Sequence, residues 1–313
     1  MPTASANPVN HCGQSTREVS SRKTCAGRRR PWCCGAVVYA SLCMILIDDL
    51  SLIQQLADAA DSVSMRYFSA GGVVAQEKPD GTPVTEADRE VEQALRVQLA
   101  SARPQDSFIG EESGNHGTAA RRWVIDPIDG TANFAAGRSE WSSLIAVEAD
   151  GEVLTGMITA PALERRWWAS RAAGAWTSSC PGGVLGARQS LEVSGTKTLD
   201  EATVAMWPVA AHVPARRLVS ATKLISRCAD GGPLSKWSRV CQGAMLVAAG
   251  EVDVFLHLTA GPWDIAAAVP IVEEAGGRFS DMHGVRSITS GAAVFTNGLL
   301  HEDVLAHLGR HGY

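Results

Sequence analysis

One stretch decides the architecture of this chain: Arg122-Trp-Val-Ile-Asp-Pro-Ile-Asp-Gly-Thr-Ala-Asn-Phe134. Its apolar residues 123–125 predict a short buried strand that stops at Asp126. Pro127 then favours an extended or turning backbone, so that Asp126 and Asp129 stand on either side of one turn. Asp-Pro and Asp-Gly are ordinary turn dipeptides, and two carboxylates by themselves predict no more than a capped turn.

The whole stretch nevertheless offers the parts of a metal and phosphate site. The side chains of Asp126 and Asp129 and the backbone carbonyl of Ile128 could converge on a hard cation, and magnesium suits such an oxygen-only set. Gly130 permits close backbone approach, and a helix beginning at Thr131 would direct its free N–H groups at a phosphate.

The string D-P-I-D-G-T-x-N-F closely resembles the signature of the inositol monophosphatase superfamily of metal-dependent small-molecule phosphatases. Three further strings resemble segments of that family: K-x-D-x-x-P-V-T-x-A-D at 78–88, G-E-E at 110–112 and W-D-x-A-A at 263–267. The resemblance covers about residues 48–308. Within the superfamily, the A-P-A-L and R-R-W-W-A-x-R strings of residues 160–171 are more similar to the histidinol-phosphatase branch than to the inositol branch.

The resemblance implies a complete catalytic set built around two or three Mg²⁺ ions. The implied metal ligands are the carboxylates of Glu111, Asp126, Asp129 and Asp264, with the carbonyl of Ile128. Such paired ions clamp an in-line displacement at phosphorus. Glu111, and Thr131 supported by Asp88, would orient and deprotonate the attacking water, while Gly130 and Thr131 bind the phosphate. Lys78 would lie near the metals and is a candidate substrate-binding residue, as are Arg239 and His257.

Local chemistry alone gives several of these residues simpler roles. Thr85 and Asp88 have the spacing of a helix capping box. Glu111 and its neighbour Glu112 would form an exposed acidic turn. Asp264 stands just before an Ala-rich helix, where an N-capping Asp is common. These structural roles stay open beside the catalytic ones.

The residues that would recognise the leaving group depart from the family pattern. Family members usually carry a glutamate where this chain has His257, and histidinol phosphatases tend to carry a Y-G-D-like string where this chain has Trp237-Ser-Arg-Val240. Both departures remove negative charge. Arg239 and His257 could therefore favour a more anionic substrate, or they could be a solvated helix residue and a satisfied strand-end histidine.

Histidinol phosphate is the substrate that overall resemblance favours. The alternatives are inositol 1-phosphate and a bisphosphate or 3′-phosphonucleotide. A catalytically inactive binding protein is disfavoured, because all the implied metal ligands and Thr131 are present. A homodimer is the assembly that the resemblance implies.

Composition is that of a globular protein. Hydrophobic residues make up 45% of the 313 residues and charged residues 19%, with a net charge of −5. This balance disfavours a largely disordered chain and gives no basic surface that would indicate nucleic acid. We expect no stable membrane association and a cytoplasmic location.

The first 47 residues differ from the remainder. They hold six of the 28 basic residues, one of the 33 acidic residues and five of the eight cysteines. Arg28-Arg-Arg30 and the apolar run 35–47 superficially resemble a signal peptide, but no A-x-A-like site follows. We expect residues 1–47 to be a disordered or mis-annotated leader ahead of a phosphatase domain at 48–313, whose halves are about 48–195 and 196–313.

Hydrophobic periodicity and turn signals predict the element order. Helices are expected at about 48–69, after residue 88, at 215–228 and 237–249, and at the C-terminus. Strands are expected at 73–75, 107–110, 141–147, 153–158, 202–207, 252–256 and 292–297. A further strand through Trp167-Trp168 would pack one ring inward. The fold class is α/β: an α+β layered sandwich of alternating helix and sheet layers, like inositol monophosphatase and fructose-bisphosphatase.

Overall fold

A computed structural model describes residues 32–69, 71, 73–207, 213–231 and 242–309. Residues Leu42–Tyr313 group into one compact unit, and both large sheets lie within this unit. The described helices are α1 (Trp32–Ser69), α2 (Glu86–Ala102), α3 (Thr131–Ala135), α4 (Ala215–Ile225), α5 (Gly243–Ala248), α6 (Pro262–Ala266), α7 (Ala268–Glu274) and α8 (His301–Gly309).

The described strands form two large sheets and one small hairpin. They are β1 (Gln76–Glu77), β2 (Pro83–Val84), β3 (Ser107–Gly110), β4 (Gly114–His116), β5 (Arg121–Asp129), β6 (Ser142–Ala149), β7 (Glu152–Ala160), β8 (Arg165–Ser170), β9 (Ala175–Ser179), β10 (Gln189–Ser190), β11 (Thr203–Trp207), β12 (Asp230–Gly231), β13 (Val254–His257), β14 (Arg278–Ser280) and β15 (Ala293–Thr296).

The first sheet has the order β10-β9-β8-β7-β6-β5-β3-β4 within the described part of the chain. Its neighbouring strands are antiparallel except for β3 and β5, which run parallel. The second sheet has the order β12-β11-β13-β15-β14, and β11 runs parallel to both of its neighbours. In the parallel pair of β3 and β5, Gly110 lies opposite Ile125. The residues that follow these two positions, Glu111 and Asp126, therefore lie at the same end of the strand pair.

Alternating side chains bury both faces of each sheet, as strand geometry requires when helices cover both sides. One face of the first sheet packs on α1 and α2 through residues such as Leu56, Leu95, Trp123, Val147 and Trp168. Its other face packs on α6 and α7, while α5 and α7 contact the second sheet. One core cluster joins these layers and includes Leu144, Trp167, Ile271, Phe255 and Phe295.

The outer face of the second sheet packs on α4 and α8, with Val204, Leu256 and Val294 facing Leu224 and Leu308. The layers therefore run helix, sheet, helix, sheet, helix. This confirms the predicted α/β sandwich of alternating layers. No helix in the described ranges combines the length and the hydrophobicity that a membrane crossing needs.

Three element predictions were wrong. Helix α1 begins at Trp32 and not at Asp48, because after Pro31 no proline interrupts the run that leads into it. Residues 73–75 form no strand, and β1 lies just after them. Both Trp167 and Trp168 are buried, at 8% and 6% exposure, since β8 is covered on both faces. Of the helix predicted at 237–249, residues 237–241 lie outside the described residues.

Candidate active site

A β-bulge places the two aspartates of the central stretch on one face. Strand β5 pairs with β6 through Asp126 opposite Leu144 and through Asp129 opposite Ser142, so β5 contains one extra residue between these pairs. Residues three apart on a regular strand point to opposite faces, and the extra residue reverses that relation. The prediction that the strand stops at Asp126 was wrong, because a bulge tolerates Pro127 without its missing N–H.

The helix start at Thr131 was predicted correctly, whereas the turn expected between Asp126 and Asp129 is the bulge within β5. Gly130 adopts φ 86°, in the left-handed region that glycine occupies without strain, and α3 begins at Thr131. The Thr131 hydroxyl lies 3.1 Å from Asp88 Oδ1 and 3.0 Å from the carbonyl oxygen of Ile128. Phe134 fixes the short helix by packing edge-on against Trp141, with ring centroids 4.9 Å apart.

Asp88 combines its structural and its predicted catalytic contact. Its Oδ2 accepts hydrogen bonds from the backbone N–H and the hydroxyl of Thr85, the N-cap of α2. Its Oδ1 accepts the hydrogen bond of Thr131. Asp88 is fully buried, and burial raises its pKa although these hydrogen bonds oppose the rise.

Asp264 lies inside α6 and not before it, so it is not the N-cap that local chemistry predicted. The N-cap is Gly261, whose backbone N–H donates to Asp264 Oδ2. Asp264 stands at the third helical position and caps the helix from there. Helix α6 contacts β5 and β6, which brings this carboxylate to the bulge.

Three carboxylates converge at the bulge: one oxygen each of Asp126, Asp129 and Asp264 lies within 4.8 Å of the other two. Asp126 is 1% exposed, and its Oδ1 has no hydrogen-bond partner among the described residues. Burying like charges with an unpaired oxygen is costly unless a cation compensates them. The donor set is therefore that of a site for a hard divalent cation.

The ionisation of these groups reflects the same crowding. Burial raises the pKa of Asp126 well above its usual range, and the charges of Glu111, Asp129 and Asp264 raise it further. Burial, followed by the charge of Asp129, raises the pKa of Asp264 to about 7. Burial, followed by the charge of Asp264, raises the pKa of Glu111 to about 7. Without a cation, the cluster therefore takes up protons near neutral pH.

Glu111 follows β3 and lies outside the group of three converging carboxylates, although its charge raises the pKa of Asp126. Its backbone N–H donates to the carbonyl of Ile125 at 3.2 Å. Its carboxylate accepts a hydrogen bond from Lys78 Nζ at 2.7 Å, and Lys78 also contacts Glu112 Oε1 at 2.8 Å. The Glu-Glu pair is thus not an exposed acidic turn, since the two side chains are 17% and 11% exposed.

The structure also contains a site residue that sequence reasoning missed. Glu92 is 3% exposed and accepts hydrogen bonds from the backbone N–H groups of Glu112, at 2.8 Å, and Ser113, at 2.7 Å. A Cβ atom at Gly110 would overlap the Glu92 carboxylate. The available signal was the spacing of Asp88 and Glu92, which places two acids one turn apart on α2.

The predicted substrate residues are described only in part. Arg239 lies outside the described residues, as do Trp237 and Val240. His257 ends β13, where it is 4% exposed with its ring 5.7 Å from the ring of Phe255. Burial lowers the pKa of His257 to about 4, so the ring is neutral at pH 7.

Known proteins are similar to this chain along most of its length. The histidinol-phosphatase of Mycobacterium tuberculosis is 41% identical over 266 residues, which cover 83% of this chain and 98% of that protein. The histidinol-phosphatase of Streptomyces coelicolor is 40% identical, with coverage of 84% and 98%.

The fold has close relatives among solved structures. The IMPase of Thermotoga maritima superposes with a TM-score of 0.71 at 27% identity, and the match covers 84% of this chain and 98% of that one. The sequence model of the inositol monophosphatase family matches residues 48–313. This chain therefore belongs to the inositol monophosphatase family.

Proposed function

We propose that the protein is a Mg²⁺-dependent histidinol-phosphate phosphatase, a phosphoric monoester hydrolase. One observation carries the proposal: three buried carboxylates converge at the β5 bulge with an oxygen of Asp126 unpartnered among the described residues, beside the hydroxyl of Thr131. Both relatives at about two-fifths identity bear the name histidinol-phosphatase. A cytoplasmic homodimer belongs to the same proposal.

The carboxylates of Asp126, Asp129 and Asp264 would hold the metal, with Glu111 and the carbonyl of Ile128 as further ligands. Two or three Mg²⁺ ions are expected in such a site. Bound magnesium would supply an acidified water and positive charge for the departing oxygen. The convergence of these three carboxylates at the β5 bulge supports a metal site there.

Thr131 and Asp88 are arranged to accept a proton from the attacking water. The Thr131 hydroxyl donates toward Asp88 Oδ1 and keeps its oxygen lone pairs for a water hydrogen. Asp88 is a competent acceptor because burial raises its pKa. Glu111, held by Lys78, is the second carboxylate that would orient the same water.

Gly130 and Thr131 would bind the phosphate through their backbone N–H groups. The first N–H groups of a helix have no partner inside the helix, and they point outward from its start. The left-handed conformation of Gly130 lets α3 begin directly after β5, whose last residue is the proposed metal ligand Asp129. A phosphate there would meet metal charge on one side and N–H donors on the other.

The neutral state of His257 helps to decide which substrate the site favours. A buried imidazole with a pKa of about 4 adds no positive charge for a second phosphate to bind. This favours histidinol phosphate over a bisphosphate or a phosphonucleotide. Inositol 1-phosphate is the second candidate, since a Thermotoga maritima relative named fructose-1,6-bisphosphatase/inositol-1-monophosphatase is 32% identical over 71% of this chain. The substrate roles of Lys78, Arg239 and His257 stay predictions.

The test is Mg²⁺-dependent phosphate release by the full chain from histidinol phosphate and from inositol 1-phosphate. We expect kcat/KM to favour histidinol phosphate by more than about a hundredfold, which corresponds to ~2.7 kcal/mol of transition-state binding. Asp126→Asn is the control for metal-dependent turnover. Equal or reversed kcat/KM values would contradict the substrate assignment, and turnover that persists in a chelator would contradict the metal mechanism.

A further inference from the structure

Helix α2 presents two buried carboxylates to the active site. Asp88 and Glu92 are four residues apart, so they lie one above the other on one helix face. They are 0% and 3% exposed, respectively. Like charges at this spacing destabilise a helix, and burial increases the cost, so this pair is unexpected in a helix that serves packing alone.

Each of the two carboxylates contacts a different segment of the site. Asp88 accepts a hydrogen bond from the hydroxyl of Thr131 at the start of α3. Glu92 accepts hydrogen bonds from two of the three N–H groups of the turn after β3, those of Glu112 at 2.8 Å and Ser113 at 2.7 Å. Charged acceptors make stronger hydrogen bonds than neutral ones, so Glu92 holds this turn in one conformation.

The turn held by Glu92 carries Glu111. Gly110 leaves room for the Glu92 carboxylate, because a side chain at that position would overlap it. Lys78 holds the same turn from the other side by bridging Glu111 and Glu112. Glu111 is thus placed by contacts to its neighbours, although its own carboxylate must stay available for the cluster at Asp126.

We propose that Glu92 is a positioning residue for metal binding: it fixes the 111–113 turn and so sets the geometry of Glu111. The inference rests on the proposed function, because it presumes that Glu111 and the three aspartates bind Mg²⁺. Residues that orient metal ligands typically influence affinity by 10–100-fold when they are replaced.

Glu92→Gln tests this at constant side-chain size. A carboxylate offers an acceptor oxygen to each backbone N–H, whereas an amide turns its NH₂ group against one of them. We expect Mg²⁺ affinity, measured by isothermal titration calorimetry of the full chain without substrate, to fall at least about tenfold. Turnover at saturating Mg²⁺ should fall less than Mg²⁺ affinity, because excess metal restores occupancy and Thr131 and Asp88 are untouched, so that only the water-orienting role of Glu111 is affected.

Glu86→Gln is the matched control, since it removes the same charge from the same helix at a side chain that is 67% exposed. It should bind Mg²⁺ like the wild type. Glu92→Asp is the conservative variant: it keeps the charge but shortens the reach, so its loss of affinity should be intermediate. It also serves if Glu92→Gln does not fold.

The outcomes separate the two proposals. A wild-type chain that binds no Mg²⁺ in the calorimeter would refute the proposed function. Wild-type Mg²⁺ affinity in folded Glu92→Gln or Glu92→Asp would overturn the positioning role, even if their melting temperatures fall, because a purely structural contact lowers stability without changing metal affinity.

Discussion

Replacing Asp126 with asparagine should make the metal-free protein more stable while it abolishes metal-dependent turnover. Asp126 is 1% exposed and one of its oxygens has no partner among the described residues, with carboxylates of Asp129 and Asp264 within 4.8 Å. At an effective dielectric constant of about 20, each such charge pair costs about 3.5 kcal/mol. Protonation limits the total, because the neighbouring carboxyl of Asp264 has a pKa of about 7, and a carboxyl raised to that value loses at most about 4 kcal/mol relative to the unfolded chain.

We therefore expect Asp126→Asn to raise the unfolding free energy of the metal-free chain by about 2–4 kcal/mol, and the melting temperature by roughly 5–10 °C for a chain of this size. Thermal unfolding in a chelator near neutral pH measures this. Excess Mg²⁺ should stabilise the wild type more than the variant, since ligand binding adds to folded-state stability. A variant less stable than the wild type in chelator, or one with near-normal phosphate release, would refute the charge-cluster reasoning.

Three further predictions concern the same site. Because the pKa values of Glu111 and Asp264 are raised to about 7, these two carboxyls contribute stability to the metal-free chain that is lost as the pH rises from about 4 to 7, whereas His257 and His301, with pKa values of about 4, contribute in the opposite direction. The stability of Asp264→Asn relative to the wild type in chelator should therefore rise with pH through that window; a difference that stays constant or falls in denaturant titrations would contradict this. Gly130→Ala forces an L-residue to φ 86° and should lower the free energy of unfolding in urea by about 1–2 kcal/mol. It should also reduce kcat, because Thr131 moves. An unchanged urea midpoint would count against strain at this position. Thr131→Val should lower kcat by about 10²–10⁴-fold while Mg²⁺ affinity is retained. Thr131→Ser keeps the hydroxyl and should retain most of the turnover. Equal rates in the two variants would exclude proton transfer from the water through Thr131 to Asp88.

The parts of the site that could be predicted lie in short strings whose chemistry is local. Asp126, Asp129, Gly130 and Thr131 fall within six residues, so the turn, the helix start and the nearby carboxylates followed from residue type and spacing. Glu111 and Asp264 are far away in sequence, and only family resemblance linked them to that turn. The structure brings Asp264 to the bulge through α6 and Glu111 through the parallel pairing of β3 with β5.

The parts that could not be predicted depend on partners remote in sequence. Asp-Pro after three apolar residues predicts a strand end, yet β5 continues because β6 accommodates the bulge and Ser143 donates to the carbonyl of Pro127 at 2.6 Å. Trp167 and Trp168 are both buried because helices cover both faces of their sheet, which one strand cannot reveal. The N–H donors that bind Glu92 lie about twenty residues further along the chain.

Asp88 and Asp264 show how one carboxylate can combine a structural role with the proposed catalytic one. Each stands at the third position of its helix and accepts the backbone N–H of the N-cap residue, Thr85 or Gly261, through Oδ2. A carboxylate has two oxygens, so Oδ1 stays available for a contact outside the helix. In Asp88, Oδ1 accepts a hydrogen bond from the hydroxyl of Thr131. The cap fixes the rotamer of the side chain, and the fixed rotamer gives the second oxygen its position. In both helices the capping hydrogen bond therefore orients the carboxylate toward the candidate site. A capping-box spacing in a sequence is thus no argument against a catalytic role for the same residue.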